Sequence, residues 1–263
     1  LFPEHQDWHG GVADYYASKL RLADLLKGAP LWINGADPVL VREVADLPNV
    51  RQVNVDDAVR AAEDGIRRGD QRLFAASDSP LSGRHNLDNL ALAIGVAEAV
   101  TGRIGSVREA MASFSPLPHR LETVSAPSSI TWINDSIATT PFASLAALQA
   151  SPPNPVLIVG GLERGADWSM VIDYCRSKPL TGLVGLPDNG RSICSRLVAG
   201  GAVEHSRSVS AANISEAVAA ARGLCEANGC VLLSPGAPSF PHFRDFEQRG
   251  RAFVEAIALL ERA

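Results

Sequence analysis

From Ile130 onward the apolar positions come in short unbroken runs, Ile130–Asn134, Val156–Val159, Gly182–Leu186 and Val231–Ser234, with a further candidate at Glu204–Val209. Between them lie stretches of helical spacing near residues 142–150, 168–177, 190–199, 213–227 and 244–262. Short continuous apolar strands alternating with helices are the pattern of a parallel sheet covered on both faces. This half is therefore expected to be an α/β, doubly wound, mostly parallel domain. The first half is less regular. A helix is expected over Gly11–Lys27, where Val12, Tyr15, Tyr16, Leu22, Ala23 and Leu26 recur at helical spacing and Lys19 interrupts the apolar stripe. Strands are expected at Pro30–Asn34 and Val50–Val55, with a helix at Val39–Ala45 behind the turn Gly35-Ala36-Asp37-Pro38. Residues Asp56–Asp70 read as a helix through Ala58, Val59, Ala62 and Ile66, against the turn signals Asp64-Gly65 and Gly69-Asp70, before a strand at Arg72–Ala76. A long helix opens at Ser82-Gly83-Arg84-His85-Asn86 and runs to Val100, and a second spans Val107–Phe114. Pro116 and Pro118 then break helical continuity, which sets the expected domains at residues 1–119 and 120–263.

Three strand ends carry side chains with chemistry: Asp135–Thr140, Gly160–Gly165 and Ser234–Ser239. In an open parallel sheet, ligands bind in the crevice outside the carboxyl ends of the strands. Asp135 would point into that crevice, with Ser136, Thr139 and Thr140 as hydroxyl donors. The competing reading makes Asp135 or Ser136 only the N-cap of the helix that follows. Gly160-Gly161 does not complete a G-x-G-x-x-G fingerprint, so a nicotinamide cofactor is unsupported. The Gly83-Arg84-His85-Asn86 helix start suits phosphate oxygens, and Glu4-His5 near the amino terminus carries metal-capable side chains.

Apolar residues make up 46% of the 263 and charged residues 20%, an ordinary globular balance. The net charge of −5 argues against nucleic acid as the main partner. No apolar run approaches the roughly 20 residues of a membrane span and no signal-peptide pattern is present, so a cytoplasmic chain is expected. Cys175, Cys194, Cys225 and Cys230 have no C-x-x-C spacing and are expected as free thiols. Lysine occurs only at Lys19, Lys27 and Lys178, which draws attention to each.

Four blocks, Ser82-Gly83-Arg84-His85-Asn86-Leu87-Asp88-Asn89, Leu117-Pro118-His119-Arg120-Leu121-Glu122, Trp132-Ile133-Asn134-Asp135-Ser136, and Leu233-Ser234-Pro235 with Phe246-Glu247-Gln248-Arg249-Gly250, together resemble the Mur ligases. The resemblance runs through the whole chain in order. It implies the carboxyl-terminal part of a central ATPase domain followed by a Rossmann-like domain. The implied activity is ATP-dependent, Mg²⁺-dependent addition of glutamate to UDP-N-acetylmuramoyl-L-alanine through an acyl phosphate, in a monomer. Carried over by position, His5 resembles the family's metal-ligating histidine and Lys19 the lysine that becomes a carbamate and bridges the metal. Asn86 and Asn89 match the amides near adenine and the phosphates, Arg120 the phosphate-reaching arginine, and Asp135 the carboxylate on the ribose. Thr139, Ser239 and Phe246 match positions that hold the incoming glutamate.

Two departures qualify the resemblance. No G-x-x-G-K-[ST] loop is present to cradle the β- and γ-phosphates, so the chain is expected to be part of a longer ligase and inactive alone. Ile137 and Arg164 stand where the family uses lysines for the amino acid, and arginine grips a carboxylate in a fixed plane where lysine is a point charge. That change favours L-glutamate over D-glutamate. The alternatives are a D-glutamate ligase, a folylpolyglutamate synthase and a non-catalytic nucleotide-binding module. The segment from Arg120 to Ala126 is expected to act as a hinge.

Overall fold

The structure, a computed structural model, describes residues 1–3, 6–102 and 107–262. Leu1–Ser115 forms one compact unit and Pro116–Ala263 another. In the first unit the order is α1 (Gln6–His9), α2 (Val12–Leu25), β1 (Leu31–Asn34), α3 (Pro38–Glu43), β2 (Val50–Val53), β3 (Val59–Ala62), β4 (Gly65–Arg68), β5 (Gln71–Ala75), α4 (Arg84–Thr101) and α5 (Val107–Ala112). Strands β1 and β2 pair in parallel, and Leu31, Ile33 and Val44 are buried there against Leu20, Ala23 and Leu26 of the α2 segment. Asp37 starts α3 by accepting the Val39 and Leu40 amides, with Pro38 at the first helical position, where its missing N–H costs nothing.

Residues 56–70 are not helical. They contain β3 and β4, which with β5 make an antiparallel meander whose buried face, Val59, Ala61, Ile66 and Phe74, packs on Leu87, Ala91 and Ile94 of α4. Of the apolar positions that suggested one helical face, Val59 and Ile66 lie on the buried face of the meander, Ala62 lies on the other side of β3 and Ala58 precedes it, and the two Gly/Asp dipeptides are at the hairpin turns. Gly65 has φ 137°, and a β-carbon there would run into the Phe74 carbonyl oxygen. Gly69 has φ 52° with open space around it.

The second unit holds β6 (Glu122–Val124), β7 (Thr131–Asn134), α6 (Pro141–Ala150), β8 (Val156–Val159), α7 (Ser169–Ser177), β9 (Gly182–Gly185), α8 (Gly190–Ala199), β10 (Ser208–Ser210), α9 (Ile214–Leu224), β11 (Cys230–Leu233) and α10 (Phe246–Leu260). Its sheet runs β10-β9-β8-β11-β7-β6, parallel except for β6. Alternate strand residues feed two cores. Trp132, Ile158, Val184 and Leu233 meet α9 and α10 on one face, while Ile133, Leu157, Leu183 and Leu232 meet α6, α7 and α8 on the other. The chain steps through β7, β8, β9 and β10 with its helices on one face. It then reverses to β11, and the right-handed crossover rule sends α9 to the opposite face. Because β11 is inserted between β7 and β8, the loops after β11 and after its neighbours leave on opposite sides, which opens a crevice at the carboxyl edge.

Two local expectations change. The segment 120–126 contains β6, paired with β7 through Glu122↔Asn134 and Val124↔Trp132, so it is built into this sheet and is no free hinge. Thr140, not Asp135 or Ser136, caps α6 by accepting the Ala143 amide at 3.3 Å, with Pro141 next to it. All four cysteines are free, and burial pushes the Cys175 and Cys194 thiols up to about 11 and Cys230 up to about 12, which leaves them unreactive.

The meander makes a direct prediction. Gly65→Ala is expected to lower stability by about 2–3 kcal/mol, through a strained φ and a backbone collision, and Gly69→Ala by about 1 kcal/mol through φ alone. Urea midpoints of the two variants check this, and equal shifts would contradict the assignment of β4.

Candidate functional site

The site is built at the carboxyl edge of the second unit around α10. Asp245 caps that helix by accepting the Gln248 amide at 2.7 Å, and Gln248 Oε1 in turn accepts the Arg244 amide at 2.6 Å. One turn in, Arg249 is 1% exposed. Its Nε donates to Ser136 Oγ at 3.0 Å and Nη2 to the Ser136 carbonyl at 2.8 Å, while Nη1 donates to the Ala237 carbonyl at 3.0 Å and the Gly160 carbonyl at 3.4 Å. One guanidinium thus ties together the loops that follow β7, β8 and β11. Burial lowers its pKa to about 9, which leaves it a cation at neutral pH.

Asp135 lies at the end of β7, 5% exposed. Its Oδ2 accepts from Ser234 Oγ at 2.8 Å and Oδ1 from the Leu121 amide at 3.2 Å. Burial dominates its titration and pushes the carboxyl up to about 6, against the opposing pull of those two donors and of Arg120. A carboxylate has about four acceptor positions, so two remain for a ligand. Ser136, expected as a donor to ligand, is instead committed: its hydroxyl donates to the Phe246 carbonyl at 2.7 Å and accepts from Arg249. Thr140 is likewise occupied as a helix cap.

Beneath these loops Asn134 donates from Nδ2 to His119 Nδ1 at 2.9 Å and to the Gly250 carbonyl at 3.2 Å, and its Oδ1 accepts the Ser136 amide at 3.3 Å. His119 has φ 62°, its amide donates to Glu122 Oε2 at 2.8 Å, and its ring fills the space where a β-carbon on residue 250 would stand. Asn189 fixes the Gly-Gly loop from the next strand, accepting the Gly161 amide at 2.9 Å and donating its own backbone amide to the Gly161 carbonyl at 3.2 Å. Asn134, His119, Glu122, Asn189, Ser234 and Arg249 went unassigned in the sequence reading. All of these but Asn189 sat inside the resembling blocks, but a polar residue in a block does not announce whether it faces ligand or neighbouring loop.

The remaining sequence-derived candidates divide by unit. In the second, Ser239 is 5% exposed, Phe246 and Thr139 are half-buried, and Arg120 and Arg164 are exposed. In the first, Asn86 is buried and donates to the Ser82 carbonyl at 2.6 Å, while Asn89, on the same helix, is exposed. An open pocket of about 730 Å³ lies before the start of α4, between Ala62, Ser77, Ser79, Gly83 and Arg84. Lys19 is exposed, its Nζ 5.3 Å from the centre of the Tyr15 ring, so the apolar stripe of α2 does not bury it. Glu4 and His5 lie outside the described residues. Among the described residues no group of three or more His, Cys, Asp or Glu side chains is placed to hold a metal ion, and no helix is long and apolar enough to cross a membrane.

The Asp135 carboxyl titrates near 6 when folded and near 3.8 when unfolded. Between those values the folded state holds the extra proton, so stability falls as pH rises through the window and the cost is complete above about pH 6. Asp135→Asn keeps both hydrogen bonds, because a hydroxyl accepts as readily as it donates. The variant is expected to be more stable than its parent at pH 7.5 by up to about 3 kcal/mol, with the advantage gone near pH 4. Denaturant titrations at the two pH values check this, and a variant less stable at pH 7.5 would show the carboxylate to be better solvated than its burial implies.

No family model matches the chain. Among curated proteins it is similar to the UDP-N-acetylmuramoyl-L-alanine--L-glutamate ligase of a Micromonospora species, 39% identical over 268 residues, covering 98% of this chain and 58% of the relative. It is 38% identical over 258 residues to the protein of the same name from Xanthomonas euvesicatoria, covering 97% of this chain and 55% of that one. The chain therefore spans somewhat over half the length of the curated relatives it matches. Among solved structures, the MurF ligase from Thermotoga maritima in complex with ADP superposes with a TM-score of 0.65 at 14% identity, over 98% of this chain and 60% of that one, a likeness of fold. The sequence similarity takes in all but a few per cent of this chain, and the relatives and the solved structure that it matches are Mur ligases.

Proposed function

We propose that the protein carrying this chain is an ATP-dependent amide ligase of peptidoglycan synthesis that adds L-glutamate to UDP-N-acetylmuramoyl-L-alanine. The observation that carries this reading is the 39% identity, over 98% of the chain, to a ligase named for that reaction. In this reading residues 1–119 belong to the central ATP-binding domain and residues 120–263 form the amino-acid-binding domain. ATP phosphorylates the alanyl carboxylate and leaves as ADP. The amine of glutamate then attacks the carbonyl carbon of the acyl phosphate, and the tetrahedral intermediate expels inorganic phosphate with loss of one amine proton. Neither step requires a nucleophile on the protein, so what the chain supplies is alignment and charge.

The residues divide accordingly. Asn86 and Asn89 serve the adenine and phosphates. Arg120, exposed on the loop before β6, suits the phosphates, and the two free acceptor positions of Asp135 suit ribose hydroxyls. Thr139, Ser239, Phe246 and Arg164 serve glutamate, with Arg164 on the Gly160–Gly165 loop and half-buried Ile137 in place of a second cation. Losing one of the family's two lysines and changing the other to a planar fork moves the carboxylate anchor, which supports the L enantiomer. Mg²⁺, when bound, supplies positive charge to the phosphates. His5 and a carbamate on Lys19 are the groups proposed for it, and the exposed Lys19 ammonium is open to carbon dioxide.

The assay uses UDP-N-acetylmuramoyl-L-alanine, ATP and each glutamate enantiomer separately. Phosphate release and a new amide are expected with L-glutamate alone, and turnover with D-glutamate alone would falsify the enantiomer assignment. Lys19→Ala is expected to abolish turnover, with partial return on adding a short-chain carboxylate such as acetate that stands in for the carbamate. Full activity without rescue would remove Lys19 from the metal.

A further inference from the structure

Arg120 stands between two residues in the left-handed region of the backbone, His119 at φ 62° and Leu121 at φ 50°. Neither is a glycine, and a bulky residue such as leucine rarely adopts that conformation. A turn of this kind persists only where its surroundings fix it. Here they do. The His119 carbonyl accepts the Ile137 amide at 3.2 Å, and the Leu121 amide donates to Asp135 Oδ1 at 3.2 Å. The Leu121 side chain packs on the core that Ile133 and Leu157 share, and the buried His119 ring lies against Gly250.

The remaining restraint is one carboxylate oxygen. Glu122 Oε2 accepts the His119 amide at 2.8 Å and lies 3.3 Å from Asn134 Nδ2 and 3.5 Å from His119 Nδ1. The pairing of β6 with β7 puts it there, because Glu122 stands directly opposite Asn134. A side chain thus closes the turn from residue 122 back to residue 119, spanning Arg120 without bonding to it. Arg120 itself is exposed, and among the described residues none takes a hydrogen bond or an ion pair from its guanidinium. Its charge is felt at Asp135, whose ionised form it favours. The acid two positions along, the nearest partner in sequence, is spent on the backbone. The main chain under Arg120 is therefore fixed while its cation is left open, which is the supporting arrangement that a ligand-binding side chain needs.

We propose that Glu122 is a positioning residue for phosphate binding: by holding the His119 amide it keeps the 119–121 turn left-handed, and so sets where the Arg120 guanidinium meets the triphosphate of ATP. The inference rests on the reading of Arg120 as the phosphate-reaching arginine of an ATP-dependent ligase. In this role Glu122 touches no ligand. It supplies an acceptor at a fixed place, so the reach of its side chain matters more than its charge. Glutamine presents an oxygen at the same distance, whereas aspartate keeps the charge and falls one methylene short. Without that acceptor the His119 amide is left to find another, the turn relaxes towards ordinary backbone angles, and the arginine loses its aim.

Steady-state kinetics on the protein carrying this chain, with Glu122→Ala, Glu122→Asp and Glu122→Gln, test this. The alanine and aspartate variants are expected to raise the KM for ATP about tenfold and to leave the KM for L-glutamate within about twofold, while the glutamine variant stays near the parent for both. A general loss of folded protein would instead lower kcat and move neither KM. Calorimetric binding of β,γ-imido-ATP supplies a second measure: in an Arg120→Ala background, Glu122→Ala is expected to cost no further affinity, because the carboxylate acts only through that arginine. If Glu122→Ala does not fold, the contrast between aspartate and glutamine still decides. An unchanged KM for ATP in folded Glu122→Asp, a glutamine variant as impaired as the aspartate one, or losses that add in the double variant overturn the role of Glu122 and leave the ligase reading standing. Absence of ATP-dependent amide formation by the parent protein with every amino acid overturns the ligase reading, and this inference with it.

Discussion

The hydrogen bonds of the Arg249 guanidinium are the constraint on which the carboxyl edge of the second unit depends. Three loops leave the sheet from different strands; two backbone bonds of 2.9 Å, from the Gly160 amide to the Pro235 carbonyl and from the Leu162 amide to the Pro238 carbonyl, join those after β8 and β11, but they do not bring in the loop after β7. A planar fork with five donors in fixed directions does, because each carbonyl it accepts as partner must come to a set place. Taking a guanidinium out of water is expensive, and four neutral acceptors offset that only in part. The residual positive potential is retained at the sheet edge. Around it the other contacts fall into line: Ser136 relays from Arg249 to the Phe246 carbonyl, and Asn134 holds the carbonyl of Gly250, the next residue along α10.

A second buried charge sits on the other side of this edge. Asp135 and Arg249 are both withdrawn from solvent, yet they share no bond; Ser234 and the Leu121 amide take the carboxylate, and the next residue in the chain, Ser136, takes the arginine. Keeping the two charges apart preserves each as a point of attraction for a ligand. A direct ion pair would have neutralised both.

Much of this architecture was legible in the residues. The parallel sheet could be read because a strand buried on both faces has to be continuously apolar, and Val156–Val159 and Cys230–Leu233 obey that without exception. The meander of β3 to β5 could not, because Val59, Ala62 and Ile66 satisfy a helical period by coincidence and only the turn glycines argued otherwise. Strand β6 escaped notice because Glu122-Thr123-Val124 is an edge strand with one buried side chain, too short for any period to show. The cap of α6 went to Thr140 because Asp135 and Ser136 were already bonded elsewhere, information that lies a hundred residues away in Ser234 and Arg249. For the same reason the resemblance named Phe246 and passed over Arg249: a buried arginine and a solvated one look alike in a sequence.

The hydrogen bond from Asn134 to the Gly250 carbonyl joins residues 116 positions apart, and β7 is flanked in the sheet by β11, almost as distant in the chain. Contacts of such long range form late, since the loop entropy must be overcome before they contribute. During synthesis β7 leaves the ribosome well before β11 and α10, its neighbour and its latch. Until β11 is made, β7 exposes an open edge, and until α10 is made the loop bearing Asp135 and Ser136 lacks the Arg249 contacts that hold it. The second unit is thus a late-closing fold that needs both β11 and α10, and the interval before β11 emerges is when the nascent chain is most open to mispairing at β7.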